Sequence, residues 1–543
     1  MVSEQQFKDA AYRLQWLNNV RDVPALPRII RTDSFSDSLA QALITSTQPC
    51  AAPGGNKPFN KQISKLAPCV YGSVRYDGKI RHMEFPHPAG YSWLVEGLCD
   101  NWNSLFPRIN NPHSMLSPRA RQTDGRIVIF DESYNQITNP FGRPSGAVKS
   151  TGIGNPTGFT KGKPSEKFVN GKIVNLDISN FFPSIYSHAL EWAIEKKRGA
   201  ASSSVGAKID RAFQTSRNSR TDGISIGPVT SNVAAELILE PVDELLNKKQ
   251  LAGELLYARA IDDITMLVSK EVDIESLIAE IAATLRRYSL DLNHSKEEIL
   301  DFHQYSGSGI QVIVGRFLGT GQFYAGSSGI PAFFADLLAL ERDYPGLSVA
   351  KYAWKMRLRM CSTPDEVEEF LCRSLNSAFR WPHLIPSIVD SMCQRNMVSA
   401  SALSFYDDII YSLAYRELKR GSTETSCWML YLIQYFQLDL WRLLGKFGLE
   451  RPNPQLDVHA IEEWLTPLVA VMLWSFGDQD LRSAIAKEYS GVVRFTDGRM
   501  EDWSNCWPIR YEMFRSGDLS SSKLEVLERE AFELMTSHRF RLL

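Results

Sequence analysis

The chain has 543 residues, enough for about two or three domains and too many for one of ordinary size. Its apolar share of 44% and charged share of 22% are those of a globular protein, which excludes a disordered or fibrous chain. A formal net charge of -2 excludes a generally basic nucleic-acid binder, so any basic surface must be local, and eight scattered Cys without a Cys-x-x-Cys pair suggest neither a zinc site nor a disulfide framework.

The N-terminus, Met1 to Phe7, lacks the basic start and apolar core of a signal peptide, which together with the unpaired cysteines suits a reducing cytoplasm. Ser3 to about Leu43 reads as helix, a break at Pro24 and Pro27, and a second helix. A Pro/Gly-rich loop follows around Pro49 to Pro58. Val70 to Phe85 alternates as strands do, with Tyr76-Asp77-Gly78-Lys79 as a hairpin turn. Tyr91 to Phe106 predicts a helix with Trp93, Leu94, Leu98 and Trp102 on one face, and Arg126 to Phe130 a strand.

Phe141 to Lys172 is rich in Gly, Pro, Ser and Lys; its cations Arg143, Lys149, Lys161, Lys163, Lys167 and Lys172 are opposed only by Glu166. A second basic run holds Lys196, Lys197, Arg198, Lys208, Arg211, Arg217 and Arg220. Charge runs are usually solvated faces, but two of them flanking one strand favour a groove that tracks phosphates. Thr230 to Leu246 predicts a helix kinked at Pro241, and Ile274 to Tyr288 another with Ile274, Leu277, Ile278, Ile281 and Leu285 buried. Alternating with the strands at Ile173 and Ile264, they give a βαβ-like pattern. Beyond about Thr320 helix follows helix. Thr363-Pro364-Asp365-Glu366 is a well-marked helix start, and Trp354, Trp381, Trp428, Trp441, Trp464, Trp474, Trp503 and Trp507 are expected in the core. The apolar run Cys427 to Leu444 is broken by Gln434, Gln437, Asp439 and Arg442, so it is a buried helix and no membrane span is expected.

The chemistry concentrates in two segments. In Tyr257 to Val268, two short apolar strands flank Asp262-Asp263 at their turn. In Lys172 to Ile185, an apolar strand delivers Asp177 at its end. Adjacent carboxylates repel and lose hydration, costs that a divalent cation removes. Three carboxylates on neighbouring strands can hold two ions about 3.5–4 Å apart, as in-line phosphoryl transfer requires.

These residues resemble the reverse transcriptases. Asp177 with Phe182 is similar to their first catalytic motif, Asp262-Asp263 to their paired-Asp hairpin, Gly223 to Asn232 to their glycine loop, and Leu290 to Lys296 to their lysine motif. The Gly-Pro-x-x-Ser form of the loop and the helical tail most resemble the bacterial abortive-infection and defence-associated type, AbiK-like. The resemblance implies an α+β chain. Residues 1–320 would be reverse-transcriptase-like fingers and palm, and 321–543 an all-α helical domain, with stacked helices of repeat type as one form it can take. It implies Asp177, Asp262 and Asp263 as catalytic metal ligands, with the Ile178 carbonyl as a further ligand, and Mg²⁺, or Mn²⁺ in its place, as cofactor. Lys296 would protonate or hold the leaving pyrophosphate. Phe182 would sit beneath the sugar and exclude a 2′-hydroxyl; Gly223, Gly227 and Pro228 would support the nascent base pair; Arg119 and Arg121 would grip the triphosphate.

The implied activity is polymerisation of deoxynucleoside triphosphates into single-stranded DNA, with a non-coding RNA as candidate template, in anti-phage defence, by a homo-oligomer and with protein priming among the options. Ala260 stands where the family has an aromatic residue, and Ser225-Ile226 where it has Pro-Gln, which fits unusual templating. The alternatives are an RNA polymerase or terminal nucleotidyltransferase on the same palm, or a catalytically silent oligomeric nucleic-acid-binding protein.

Overall fold

The structure is a computed structural model that describes residues 2–13, 26–47, 67–114, 121–123, 126–128, 168, 170–301, 310–319, 324–345, 347–395, 398–449, 465–490, 506–524 and 526–543. Strands and helices both occur, so the class is α+β. The strands are β1 (Cys69–Val74), β2 (Ile80–Phe85), β3 (Arg121–Thr123), β4 (Arg126–Val128), β5 (Lys172–Asp177), β6 (Leu255–Ala260), β7 (Asp263–Val268) and β8 (Glu298–Asp301). β1 pairs with β2 and β3 with β4; the other four form one sheet in the order β6-β7-β5-β8.

Every neighbouring pair in that sheet is antiparallel. β5 and β6 therefore run parallel with β7 between them, and β7 and β8 run parallel with β5 between them. The βαβ-like pattern is right in its connections and needs correcting in its pairing: this is a split β-α-β-β-α-β sheet. The reason is the shortness of the β6–β7 turn. β7 folds straight back along β6 and takes the place beside β5 that a direct parallel pairing would have used.

The first crossover contains helix Val229–Leu251, which follows Pro228 and buries Val233, Leu237, Ile238, Val242 and Leu246; Pro241 lies inside it. The second is helix Ile274–Arg286, capped by the Asp273 side chain, with Leu277, Ile278, Ile281 and Leu285 buried. β8 is an edge strand, tied to β5 by Lys172–Asp301 at 2.7 Å and Asn175–Glu298 at 3.0 Å.

The expected helix from Tyr91 to Phe106 is two helices, Pro88–Cys99 and Trp102–Ile109. The Asn101 amide reaches back to the Gly97 carbonyl at 2.9 Å, a local bond that competes with helix continuation. From Ile310 onward the described residues with regular structure are all helical. Thr363 caps helix Pro364–Ser377 by accepting from the Glu366 N–H at 3.2 Å. Trp354, Trp381, Trp428, Trp474 and Trp507 are buried; Trp464 and Trp503 lie outside the described residues.

These helices pack back on the N-terminal half. The Trp507 ring lies 4.9 Å from that of Phe85 on β2, Phe540 lies 6.0 Å from Phe35, and the Arg31 N–H donates to the Leu542 carbonyl at 2.8 Å. β1 rests on helix Thr423–Tyr435, and one apolar core runs through the molecule. No described helix is long and apolar enough to cross a membrane.

Candidate active site at the strand ends

Ile261 and Asp262 form the turn between β6 and β7, closed by the facing pair Ala260 and Asp263. Ile261 has φ +59°, a region that β-branched residues avoid. The strain, about 1–3 kcal/mol for such a residue, is held by Arg259. Its buried guanidinium donates to the Ile261 carbonyl at 3.0 Å. It also donates to Glu236 at 3.0 and 2.9 Å and to Asp243 at 3.0 and 2.6 Å, both on the long helix. Burial works against the charge on Arg259, but the two carboxylates outweigh it and raise its proton affinity. Glu236, whose carboxyl burial pushes up, also accepts from the Ser114 hydroxyl at 2.9 Å. The turn is thus fixed from behind by a satisfied buried ionic network.

Asp177 is the register partner of Asp263 across β5 and β7. One residue further on, the Ile178 N–H donates to the Asp262 carbonyl at 3.3 Å. The two acidic segments, distant in sequence, therefore meet at one sheet edge. The Asp177 carboxylate accepts from Lys296 Nζ at 2.6 Å and from the Asn293 amide at 3.0 Å, while the Asn293 N–H donates to the Asp177 carbonyl at 2.8 Å.

The electrostatics follow from crowding. Burial first, and then the charge of Asp177, raise the Asp262 carboxyl above its ordinary range, with Lys296 and Arg81 pulling the other way. Asp263 is pushed up to about 7 by lost hydration first and then by Asp262 and Asp177. As a residue Asp263 is exposed, so water still reaches it and the direction matters more than the size. Burial lowers Lys296, but its bond to Asp177 and the three carboxylate charges win and hold its proton above the usual lysine range.

A set of hard carboxylate oxygens that cannot all ionise cheaply suits Mg²⁺ or Mn²⁺. The three aspartates do not stand as one tight ligand grouping; the Asp177 oxygens are taken by Lys296 and Asn293.

The glycine loop adjoins Phe182. The Ile224 N–H donates to the Phe182 carbonyl at 2.9 Å and the Gly223 N–H to the Ile185 carbonyl at 2.8 Å. Gly223 has φ +73°, and a Cβ there would meet the Pro183 carbonyl oxygen at 3.2 Å, so both conformation and space call for glycine. Gly227 also has positive φ, +127°, and Pro228 leads into the long helix. Phe182 is half-buried, its ring 5.2 Å from that of Phe181. Glu84 of β2 staples the loop: Arg217 binds it at 2.9 and 2.7 Å, the Ser225 hydroxyl donates to it, and its N–H donates to the Ile226 carbonyl at 3.2 Å. Ser225-Ile226 is the segment that makes this attachment.

Arg119 lies outside the described residues; Arg121 falls on β3, of which only the backbone is described. Several cations of the basic runs have acidic partners. Arg217 is buried on Glu84, and Lys172, Lys196 and Arg220 pair with Asp301, Glu244 and Asp222. Residues 143–167 lie outside the described residues. Sequence reasoning passed over Arg259, Asn293, Glu84 and Arg81 as working residues. The signal for the first two was their place inside the acidic hairpin and the lysine motif; for Glu84 and Arg81 no local signal exists.

No family model and no curated protein matches the sequence. Among solved structures the chain is similar to apo telomerase from Candida tropicalis, at 10% identity and a TM-score of 0.29, over 80% of this chain and 73% of that one. A likeness that distant carries no weight for the chemistry, which rests on the site itself.

Proposed function

We propose that the chain is a nucleotidyltransferase of reverse-transcriptase type that polymerises deoxynucleotides, working in bacterial anti-phage defence of the abortive-infection kind. The observation that carries the reading is the meeting of Asp177 with Asp262 and Asp263 at adjacent strand ends of the split β-α-β-β-α-β sheet. Asp177, Asp262 and Asp263 would hold Mg²⁺ or Mn²⁺, with the Ile178 carbonyl as a further oxygen. Such ions, when bound, supply activation of the attacking hydroxyl and neutralisation of the leaving group.

The chain's own groups do the rest. Lys296 carries a firmly held proton beside Asp177, suited to meeting the charge on departing pyrophosphate. Phe182, bonded through its carbonyl to the glycine loop, sets the space beneath the sugar and favours deoxyribose. Arg259 holds the acidic turn in a conformation it would not keep alone. The satisfied networks on both sides of the site reduce the reorganisation needed on substrate binding.

The test is incorporation of labelled deoxynucleotides by purified full-length protein with Mg²⁺. Polymer is expected from the natural sequence and none from Asp177→Ala or Asp262→Ala that keep their far-UV spectrum. Polymer from either variant ends the reading. A preference for ribonucleotides would transfer the site to RNA synthesis and reverse the role given to Phe182.

A further inference from the structure

A second constellation lies behind the glycine loop and has no part in that reading. His188 and Glu191 stand three residues apart on helix Ser187–Glu195, and Asp210 projects from the facing helix Val205–Thr215. One ligand atom from each lies within 4.8 Å of the others. His188 Nδ1 sits 2.5 Å from Asp210 Oδ2; the His188 side chain is 38% exposed and that of Asp210 only 7%. An ion could therefore reach the imidazole from solvent and be held by a carboxylate beneath it.

The supporting groups are in place. The Gln214 amide donates to Asp210 Oδ1 at 2.6 Å and to the Ser187 hydroxyl at 3.1 Å, fixing the carboxylate. Glu191 Oε1 accepts from the Ala200 N–H at 2.7 Å, which orients that carboxylate too.

We propose that His188, Glu191 and Asp210 form a site for one transition-metal dication of zinc type, separate from the acid cluster. The donor set decides the class. An imidazole with two carboxylates, contributed by two helices, suits Zn²⁺ and its neighbours, whereas Mg²⁺ prefers oxygen alone. Three protein ligands leave a fourth position for water. Closing the three donors to about 2.0–2.2 Å from one ion needs only a small inward movement. The ion would clasp helix Val205–Thr215 to helix Ser187–Glu195, whose start is tied to the entry of the glycine loop, since the Ser187 N–H donates to the Thr221 carbonyl at 2.8 Å and Tyr186 bridges Asp222.

The experiment uses full-length protein stripped with chelator and titrated with Zn²⁺ by calorimetry, with Co²⁺ as an optical probe. One equivalent is expected to bind, with a visible d–d band from Co²⁺, in both the natural sequence and Asp262→Asn. His188→Gln, which keeps a polar side chain of similar reach and is a poor ligand, is expected to lose the equivalent and the band while unfolding at an unchanged temperature in chelator. Gln214→Ala is expected to weaken binding by roughly ten- to a hundredfold. An unaltered Co²⁺ spectrum in His188→Gln, absence of any bound equivalent, or loss of the equivalent in Asp262→Asn alone would each overturn the proposal. The first two outcomes would leave a hydrogen-bonded helix clasp without metal and do not bear on nucleotide polymerisation; the third would place the ion at the acid cluster instead.

Discussion

In the C-terminal helices a buried carboxylate has a guanidinium beside it: Glu366 lies 2.8 Å from Arg357, Glu417 2.7 Å from Arg416, and Glu512 2.6 Å from Arg515. At the strand ends Asp177, Asp262 and Asp263 share the charge of Lys296, and its bond goes to Asp177. The consequence shows in proton affinity. Against the upward push of burial, the Ser362 N–H and Arg357 hold the Glu366 carboxyl below its ordinary range; Glu512 stays above its own despite Arg515, and Asp262 and Asp263, without a guanidinium bonded to them among the described residues, are pushed above theirs. Helical packing has neutralised its buried acids internally. The sheet edge leaves its acids without such internal partners, and that difference is what the proposed cation uptake rests on.

The comparison breaks most visibly where a pair is cut. Arg357→Ala strands Glu366 in the core and is expected to cost about 3–5 kcal/mol, read as a fall in the denaturation midpoint at constant m. Arg259→Ala is expected to cost a similar amount, with Glu236 and Asp243 left facing each other and the Ile261 turn released. A smaller effect than 1 kcal/mol in either would mean that these acids are not held by their arginines.

Next comes the backbone that the loop demands. Gly223→Ala is expected to destabilise by about 1–2 kcal/mol, from the positive φ together with the approach to Pro183. Its measurement is thermal unfolding alongside nucleotide incorporation, which should fall further than stability alone explains.

The smallest effect has the opposite sign. Asp263→Asn removes one of three mutually repelling charges and is expected to stabilise the chelator-treated protein by less than about 1 kcal/mol at pH 8, since the group is exposed and screened. The pH dependence follows from linkage. Unfolded Asp titrates near about 4, and folded Asp263 at about 7. Between those values the folded chain keeps a proton that the unfolded chain has released, so stability falls as pH rises through the window and levels above it. Unfolding scans in chelator from pH 5 to 8 should show this slope in the natural sequence and a weaker one in Asp263→Asn. Added Mg²⁺ should raise the unfolding temperature more at pH 8 than at pH 5.5, because ionised carboxylates are its ligands. Equal Mg²⁺ shifts at both pH values would count against cation uptake by these acids.

Much of the site could be read early because its signals are local. An apolar strand ending in Asp177, a two-residue turn carrying Asp262, and Lys296 on a short stretch each declare themselves within a dozen residues. The partners of the cations were hidden for the converse reason. Arg217 looks like part of a solvated run until Glu84, far upstream, closes over it, and Lys172 until Asp301 arrives from the edge strand. The split pairing of the sheet was equally hidden, since apolar patterning fixes which strands are buried and says nothing of which neighbour each takes.

Sequence alone determined the identity and order of the acidic segments, the helical character of the second half and the residues too apolar to stay in water, because these depend on side-chain type and spacing. Only the tertiary structure decided that Asp177 faces Asp263, that Arg259 steadies the turn from within, and that Glu84 carries the glycine loop. Each of these rests on a contact between groups far apart along the chain, and such contacts exist only once burial has brought those groups together.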